Sequence, residues 1–408
     1  MTAAPTCLVC GGCGWSAGDG VVAFRCPLTG DGRDHVLVPQ LGPAQVAWPS
    51  IPDPNPFVRF GALLLGATPD SARALAGRVE AVAGRAIAPT RIVDLGNDSR
   101  AKVEADGIAG SHKWRHLFGT LLAISEPGKG ADADRPLAIA SCGNAALAAA
   151  TIAKAVERHL EVFVPTWADP SVVERLAALG AAVIVAERAT GEVGDPCVRR
   201  FRAAVAEGAI PFSCQGSDNG LALDGGRTLA WELVDQLDGA APDHVVVQAG
   251  GGALASCLVR GLREAWQLGA LPSMPRVHVV QAEHAAPLVR AWSRMAAVAA
   301  ETDWERARER GAAHRAEFMW PWTDPRSVAT GILDDEAYDW LEVVAGVAAS
   351  GGSIFAVTDD AMLRAAQRAT DRAATPIGPT GAAAYAGVLA LQAAGAEGTF
   401  VTVLTGST

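Results

Sequence analysis

The chain has 408 residues, half of them apolar, and a formal net charge of −10 with a pI near 5.3. A chain of this length buries a core large enough for more than one domain. Its acidic residues are scattered, and both nucleic acid and an anionic membrane call for a basic face, so the balance argues against either as a partner.

Residues 1–38 are rich in Gly and Cys and carry no long periodic segment. Met1–Pro5 lacks the charged-then-apolar layout of a secretory signal. No apolar run approaches the roughly 20 residues that cross a bilayer, so a cytoplasmic location is expected. Four of the eight cysteines, Cys7, Cys10, Cys13 and Cys26, fall in this stretch. Cytosolic proteins rarely build disulfide frames, so the cluster points to metal or redox chemistry. Residues 39–56 hold six prolines and read as an extended connector.

Beyond residue 57, short apolar runs alternate with Ala/Leu-rich helical stretches. Arg135–Ala140 reads as a strand, Ala145–His159 as a helix, and Glu161–Pro165 as a strand. A helix over Ser171–Leu179 ends at Gly180, and a strand follows over Ala182–Ala186. The order repeats with His244–Gln248 as strand, Gly252–Leu268 as helix and Val277–Gln281 as strand. Ala296–Asp324 breaks the alternation and reads as an insertion, with a charged helix over Glu301–Arg315. Phe400–Leu404 is the last strand. Strand–helix–strand units with near-continuous apolar strands predict parallel sheets covered on both faces. Two such groups predict two α/β domains with a cleft between them.

Four segments carry candidate chemistry. In Gly110-Ser111-His112-Lys113 the lysine is a candidate for imine chemistry, which needs an amine held in place by burial. Alone it is indistinguishable from a surface lysine. Ala138–Asn144 ends a strand in Ser141-Cys142-Gly143-Asn144 just before a helix, where free backbone N–H groups can hold an anion; a plain N-cap is the bland alternative. Val245–Leu254 places Gly250-Gly251-Gly252 and Ala253 between a strand and a helix, a layout that lets backbone wrap a phosphate, or simply turns tightly. Thr405 follows the last strand, where open α/β sheets place ligands.

In this order and spacing the segments resemble the fold-type II pyridoxal 5′-phosphate (PLP) enzymes. That group contains threonine synthase, serine and threonine dehydratases, cysteine synthase and the tryptophan synthase β subunit. The resemblance covers Asn55–Thr408. Glu104–Lys113 is similar in length to the threonine synthase motif E-G-x-N-P-T-G-S-F-K and keeps Gly-Ser-x-Lys, with His112 as in the A-H-K of the tryptophan synthase β subunit. Asn219–Thr228 resembles N-P-x-R-x-E-G-x-K-T. Cys10-x-x-Cys13-Gly14 is similar to the zinc-ribbon-like start of some threonine synthases.

The resemblance implies an α/β fold of two open, mostly parallel sheet domains with a short Cys-containing N-terminal extension. The extension would be residues 1–40, the large PLP domain 41–130 with 236–408, and the small domain 131–235. It implies PLP as cofactor, held as a Schiff base on Lys113, which would also be the catalytic residue. Asn144 would bond the cofactor's phenolic oxygen, Gly250, Gly251, Gly252 and Ala253 its phosphate, and Thr405 would face its pyridine nitrogen. Ser141, Cys142, Gly143 and Asn144 would receive the substrate carboxylate, and Ser111 would also bind substrate. A small amino-acid substrate and a homodimer are the implied partners.

Two departures bear on specificity. Ala222 stands where N-P-x-R has its arginine, and the Gly-rich loop lacks the asparagine common in threonine synthases. O-phosphohomoserine is therefore not the expected substrate, unless Arg115, His112 or His116 forms a different anion site. For the cysteines, a four-thiolate zinc site from Cys7, Cys10, Cys13 and Cys26 is one reading. His35 in place of Cys7 is a second, and a metal-free remnant a third. The leading function is a lyase or synthase acting at the β or γ carbon of a small α-amino acid, threonine synthase-like. The alternatives are a serine/threonine dehydratase and a PLP-binding protein without turnover.

Overall fold

A computed structural model describes residues 6–18, 21–42, 46–125, 134–188 and 195–407. Twelve strands form three sheets among them. Strands β1 (Thr6–Cys10) and β2 (Leu37–Leu41) make a small antiparallel pair. Strands β3 (Ile92–Gly96) and β4 (Ser99–Val103) form a hairpin. Its turn residues Asn97 and Asp98 both have left-handed φ, 51° and 54°, as a two-residue hairpin requires. Strands β5 (Leu137–Ala140), β6 (Leu160–Pro165), β7 (Ala182–Ala186) and β8 (Ile210–Pro211) make an all-parallel sheet in the order β7-β6-β5-β8. Strands β9 (His244–Gln248), β10 (Arg276–Ala282), β11 (Ile354–Val357) and β12 (Phe400–Leu404) join the hairpin in a six-stranded sheet, β11-β10-β9-β12-β4-β3. Every pairing in it is parallel except β3 with β4.

The central strands of the large sheet are apolar because helices cover both faces. The period-2 alternation of strands divides their side chains. Val245, Val247, Val277, Val279, Val401 and Val403 pack on one side with helix residues such as Leu254, Leu258 and Val343. Val246, Val280, Phe400 and Leu404 pack on the other with Met362, Ala382, Ala383 and Tyr385. This is the doubly covered α/β architecture expected from the alternating segments, and the two open sheets are its two halves. The 296–324 segment supplies the charged helix Trp304–Ala313 outside both sheets.

Four parallel strands end at one cleft. β4 leads through residues 104–112 to Lys113, β5 runs into Ser141–Asn144, β9 into Gly250–Ala253, and β12 into Thr405. Ligand sites in open α/β sheets form outside such carboxyl ends.

Candidate active site

Lys113 opens the helix Lys113–Ser125. Two short 3-10 turns, Glu104–Asp106 and Ile108–Gly110, carry the chain to it from β4. Ser111 is extended and bridges Gly406, and the His112 N–H donates to Thr405 O (3.2 Å). The lysine backbone is thus pinned to the residues that follow β12. Cys214 Sγ lies 3.8 Å from Lys113 O. Burial, assisted by the Lys113 charge, holds the His112 imidazole well below its usual range and His116 at about 3. Both rings are therefore neutral neighbours of the amine.

A buried ion network braces this approach. Arg115 donates to Glu104 through Nε and Nη2 (2.9 Å each) and to Glu232 through Nη1 and Nη2 (3.0 Å each). Lys102 Nζ reaches Glu232 Oε1 (2.5 Å) and Gln236 Oε1 (2.6 Å). The bidentate Arg115–Glu104 pair closes the loop that presents Lys113. Arg227, also fully buried, pairs with Asp224 and with Glu264 (2.7 Å). Of the two readings of Arg115 and His116, a substrate anion site or plain core residues, these contacts favour the core. The guanidinium is spent on two carboxylates, and His116 Nδ1 faces the carbonyl oxygen of Ala222 (2.9 Å). Ala222 itself is buried.

On the opposite wall, Gln248 Nε2 donates to Thr405 Oγ1 (2.7 Å) and to the Thr380 carbonyl (2.8 Å). The carbonyl fixes which way the amide points. Thr405 Oγ1 accepts from Gln248, so its own hydrogen is available to an acceptor in the cleft. A Cβ built on Gly406 would lie 3.1 Å from Asn144 Nδ2 and 3.3 Å from Ser111 Cβ. Asn144, Ser111 and the Thr405 turn therefore converge. Ser141 Oγ accepts from the Gly143 N–H (3.4 Å), and the helix Asn144–Ala155 begins at Gly143 with no side-chain cap. Ser141, Cys142 and Gly143 are half-buried along this edge.

The glycine loop completes the cleft. Gly252 has φ 97°, and the 15-residue helix Ala253–Gln267 starts from it with no side-chain cap. Its first N–H groups are left for an external acceptor, and the helix dipole favours an anion there. A Cβ on Gly250 would sit 2.2 Å from Asp334 Oδ2, and one on Gly251 2.9 Å from the Tyr338 ring. Only glycine fits under that segment. The Asp339 N–H donates to Gly251 O (3.0 Å). Burial pushes the Asp334 carboxyl up, with the Lys113 charge opposing, and pushes Asp339 up to about 8. Gln248, Asp334, Tyr338 and Asp339 carry no local sequence signature; only the first, ending a strand before the glycines, stood near a motif.

A pinned amine, an uncapped glycine-led helix, an oriented hydroxyl and a carboxamide fit a phosphate-bearing aromatic aldehyde. Of the chain's four lysines, Lys102 is consumed in the buried network, Lys154 bonds the Ala178 carbonyl at the surface, and Lys129 lies outside the described residues.

A second cluster lies in the N-terminal module. Ligand atoms of Cys10, Cys13, Cys26 and His35 all fall within 4.8 Å of one another. Cys10 Sγ is 3.5 Å from His35 Nδ1, and Cys13 Sγ 3.7 Å from Cys26 Sγ. Cys7, placed with the metal ligands by the four-thiolate reading, does not join them. It sits in β1 opposite Gln40, and a three-residue spacing along a strand turns it to the face opposite Cys10.

This two-domain α/β fold with a lysine at the convergence of four strand ends defines a cofactor-dependent enzyme class. Residues 84–406 match the model of the pyridoxal-phosphate dependent enzyme family, and the chain belongs to that family. It is 28% identical over 325 residues to the threonine synthase of Synechocystis sp., covering 78% of this chain and 74% of that protein. It is also 28% identical over 188 residues to the threonine synthase of Methanosarcina acetivorans, a match that spans 46% of this chain and only 42% of that protein. The crystal structure of a threonine deaminase from T.th. superposes with a TM-score of 0.62 at 22% identity, covering 81% of this chain and 97% of that one. No helix among the described residues is long and apolar enough to cross a membrane.

Proposed function

We propose that the chain eliminates or replaces a β or γ substituent of a small α-amino acid, with Lys113 carrying PLP. The carrying observation is the Thr405 hydroxyl, held by Gln248 at 2.7 Å beside the Lys113 turn. Facing a pyridine nitrogen, such a neutral hydroxyl would leave it unprotonated, which would temper the electron sink and favour elimination and replacement over transamination.

Bound here, the cofactor supplies an electron sink for bonds at the substrate's α-carbon. The protein's own groups do the rest. Gly250–Ala253 would hold the phosphate with backbone N–H groups, and Asn144 would bond the phenolic oxygen. Ser111 and Ser141–Asn144 orient the substrate carboxylate. Lys113 Nζ would be the group placed to accept the α-proton. Neutral His112 and His116 leave that amine without a competing cation. Cys10, Cys13, Cys26 and His35 would hold a structural zinc.

Dehydration of serine or threonine is the second reading, supported by the same carboxylate edge and by the pairing of buried Arg115 and Arg227 with carboxylates. A binder without turnover would have no use for Ser111 and Ser141–Asn144 at the amine. The test is to add serine, threonine, homoserine and their O-acetyl esters to purified protein and follow the cofactor spectrum and the keto-acid product. Spectral change with product supports catalysis. An unchanged spectrum across the panel refutes it.

A further inference from the structure

The thiol and imidazole cluster docks directly behind the glycine loop. His35 is flanked by Asp34 and Val36, and both neighbours reach that loop. Buried Asp34 accepts from Trp340 Nε1 at Oδ1 (3.1 Å), pairs with Arg315 (3.3 Å), and donates its N–H to Ala312 O (2.9 Å). Trp340 is fully buried and follows Asp339, whose N–H holds Gly251 O. Val36 packs with Leu223, Cys257 and Ala253, the first residue of the helix after the glycines. Both ends of Gly251–Ala253 are thus held from the residues beside His35. Gly12, between Cys10 and Cys13, leaves no slack: a Cβ there would lie 1.6 Å from Asp34 O.

We propose that Cys10, Cys13, Cys26 and His35 bind one zinc ion, and that this ion positions the cofactor-phosphate loop through Asp34 and Trp340. The proposal rests on reading Gly250–Ala253 as the phosphate cradle. A tetrahedral site with Zn–S of about 2.3 Å and Zn–N of about 2.0–2.1 Å separates its ligand atoms by roughly 3.5–3.8 Å. The 3.5 and 3.7 Å separations already match that spacing. Three thiols and an imidazole suit zinc over hard cations. Between β1 and β2 the module has one bridge, Val9 to Ser16, among its described residues. Gly11 N–H also bonds Val36 O (2.9 Å) and Arg33 bonds Gly12 O (3.0 Å), and the ion adds the link that ties Cys10, Cys13 and Cys26 to His35, the residue beside Asp34. Asp34 and Trp340 are positioning residues that touch neither substrate nor cofactor.

The test measures zinc content and PLP affinity on the same samples. Holoenzyme should carry one zinc per chain. Stripping zinc with a chelator should raise the PLP dissociation constant, read by dialysis and cofactor absorbance, about tenfold, and added zinc should reverse it. Trp340→Phe and Asp34→Asn should keep zinc and fold but weaken PLP severalfold; Cys7→Ser should change neither. A zinc-free protein that neither purifies with nor takes up the ion overturns the metal site. Zinc-stripped or Trp340→Phe protein with unchanged PLP affinity overturns the link, leaving a separate structural module. If borohydride fixes PLP away from Lys113 in zinc-loaded protein, the active-site reading fails instead, which the zinc content alone cannot cause.

Discussion

Gln248 and Thr405 are joined by a 2.7 Å hydrogen bond that ties the end of β9 to the residue after β12. The bond uses Thr405 Oγ1 as an acceptor and leaves its hydrogen free to donate. Thr405→Val removes the donor at nearly constant volume, and turnover should fall about 10- to 100-fold while Thr405→Ser retains most of it. Gln248→Leu should shift the cofactor's absorbance, because the hydroxyl loses its orientation. Equal activity of the Val and Ser variants refutes the role.

Lys113 is pinned by Ser111 and His112 to the Gly406 turn, so its amine has little freedom to be replaced by another. Lys113→Ala should lose turnover by at least about a thousandfold, since proton transfer alone is worth up to about 10⁴. Borohydride treatment should fix the cofactor on the peptide holding Lys113. Label on Lys102, Lys129 or Lys154 would overturn the assignment.

Arg115 is placed to hold the fold, not the substrate. Its guanidinium has no exposed surface and spans Glu104 and Glu232. Arg115→Met leaves buried Glu104 without its paired cation and Glu232 with Lys102 alone, and removing one partner of a buried pair costs about 3–5 kcal/mol. Denaturant unfolding should show that loss. A variant of normal stability with a raised KM would mean the residue binds substrate after all.

How much of this was readable beforehand follows from range. The segments around Lys113, Ser141–Asn144, Gly250–Ala253 and Thr405 lie at strand ends, where an apolar run passing into small polar residues is visible locally. Which segments meet was supplied by family order, and the structure brings them to one cleft. The partners of Arg115 were not readable, because Glu232 lies 117 residues away. Asp334 and Tyr338 reach the glycines from a segment with no periodic pattern. For the cysteine cluster both ligand readings were open, and it is the one with His35 in place of Cys7 whose atoms come together, because Cys7 lies on the other face of β1.

The Asp339 carboxyl gives a pH signature. Burial pushes it up to about 8; the Gly216 N–H opposes, and Asp34, Glu342 and Asp334 add to the rise. An unfolded Asp titrates near 3.9, so between about pH 4 and 8 the folded state keeps a proton the unfolded state has lost. Stability therefore falls as pH rises through that window, by at most about 1.4 kcal/mol per pH unit, and the loss is complete above about pH 8. Asp339→Asn should flatten the profile of thermal midpoint against pH. Parallel profiles for variant and wild type would show that the group stays ionised.

Substrate charge can be argued from the same inventory. A phosphate on the substrate is held best by arginine forks. Arg115 and Arg227 are fully buried and paired with Glu104, Glu232, Asp224 and Glu264. Ala222 offers only a buried carbonyl, and Asp334 brings a carboxyl group to the Lys113 side of the cleft. A missing charge-assisted hydrogen bond costs about 1.5–3 kcal/mol, or roughly one to two factors of ten in affinity. O-phosphohomoserine should therefore give a lower kcat/KM than serine, threonine, homoserine or their O-acetyl esters. If it leads that series by a wide margin, a cation at the cleft must meet the phosphate. Arg202 would be the residue to change first, because it is part-exposed, bonded to Asp218 (3.1 Å) and lies near Tyr338, which packs against Gly251. Loss of O-phosphohomoserine activity in Arg202→Ala would then place the phosphate beside the glycine loop.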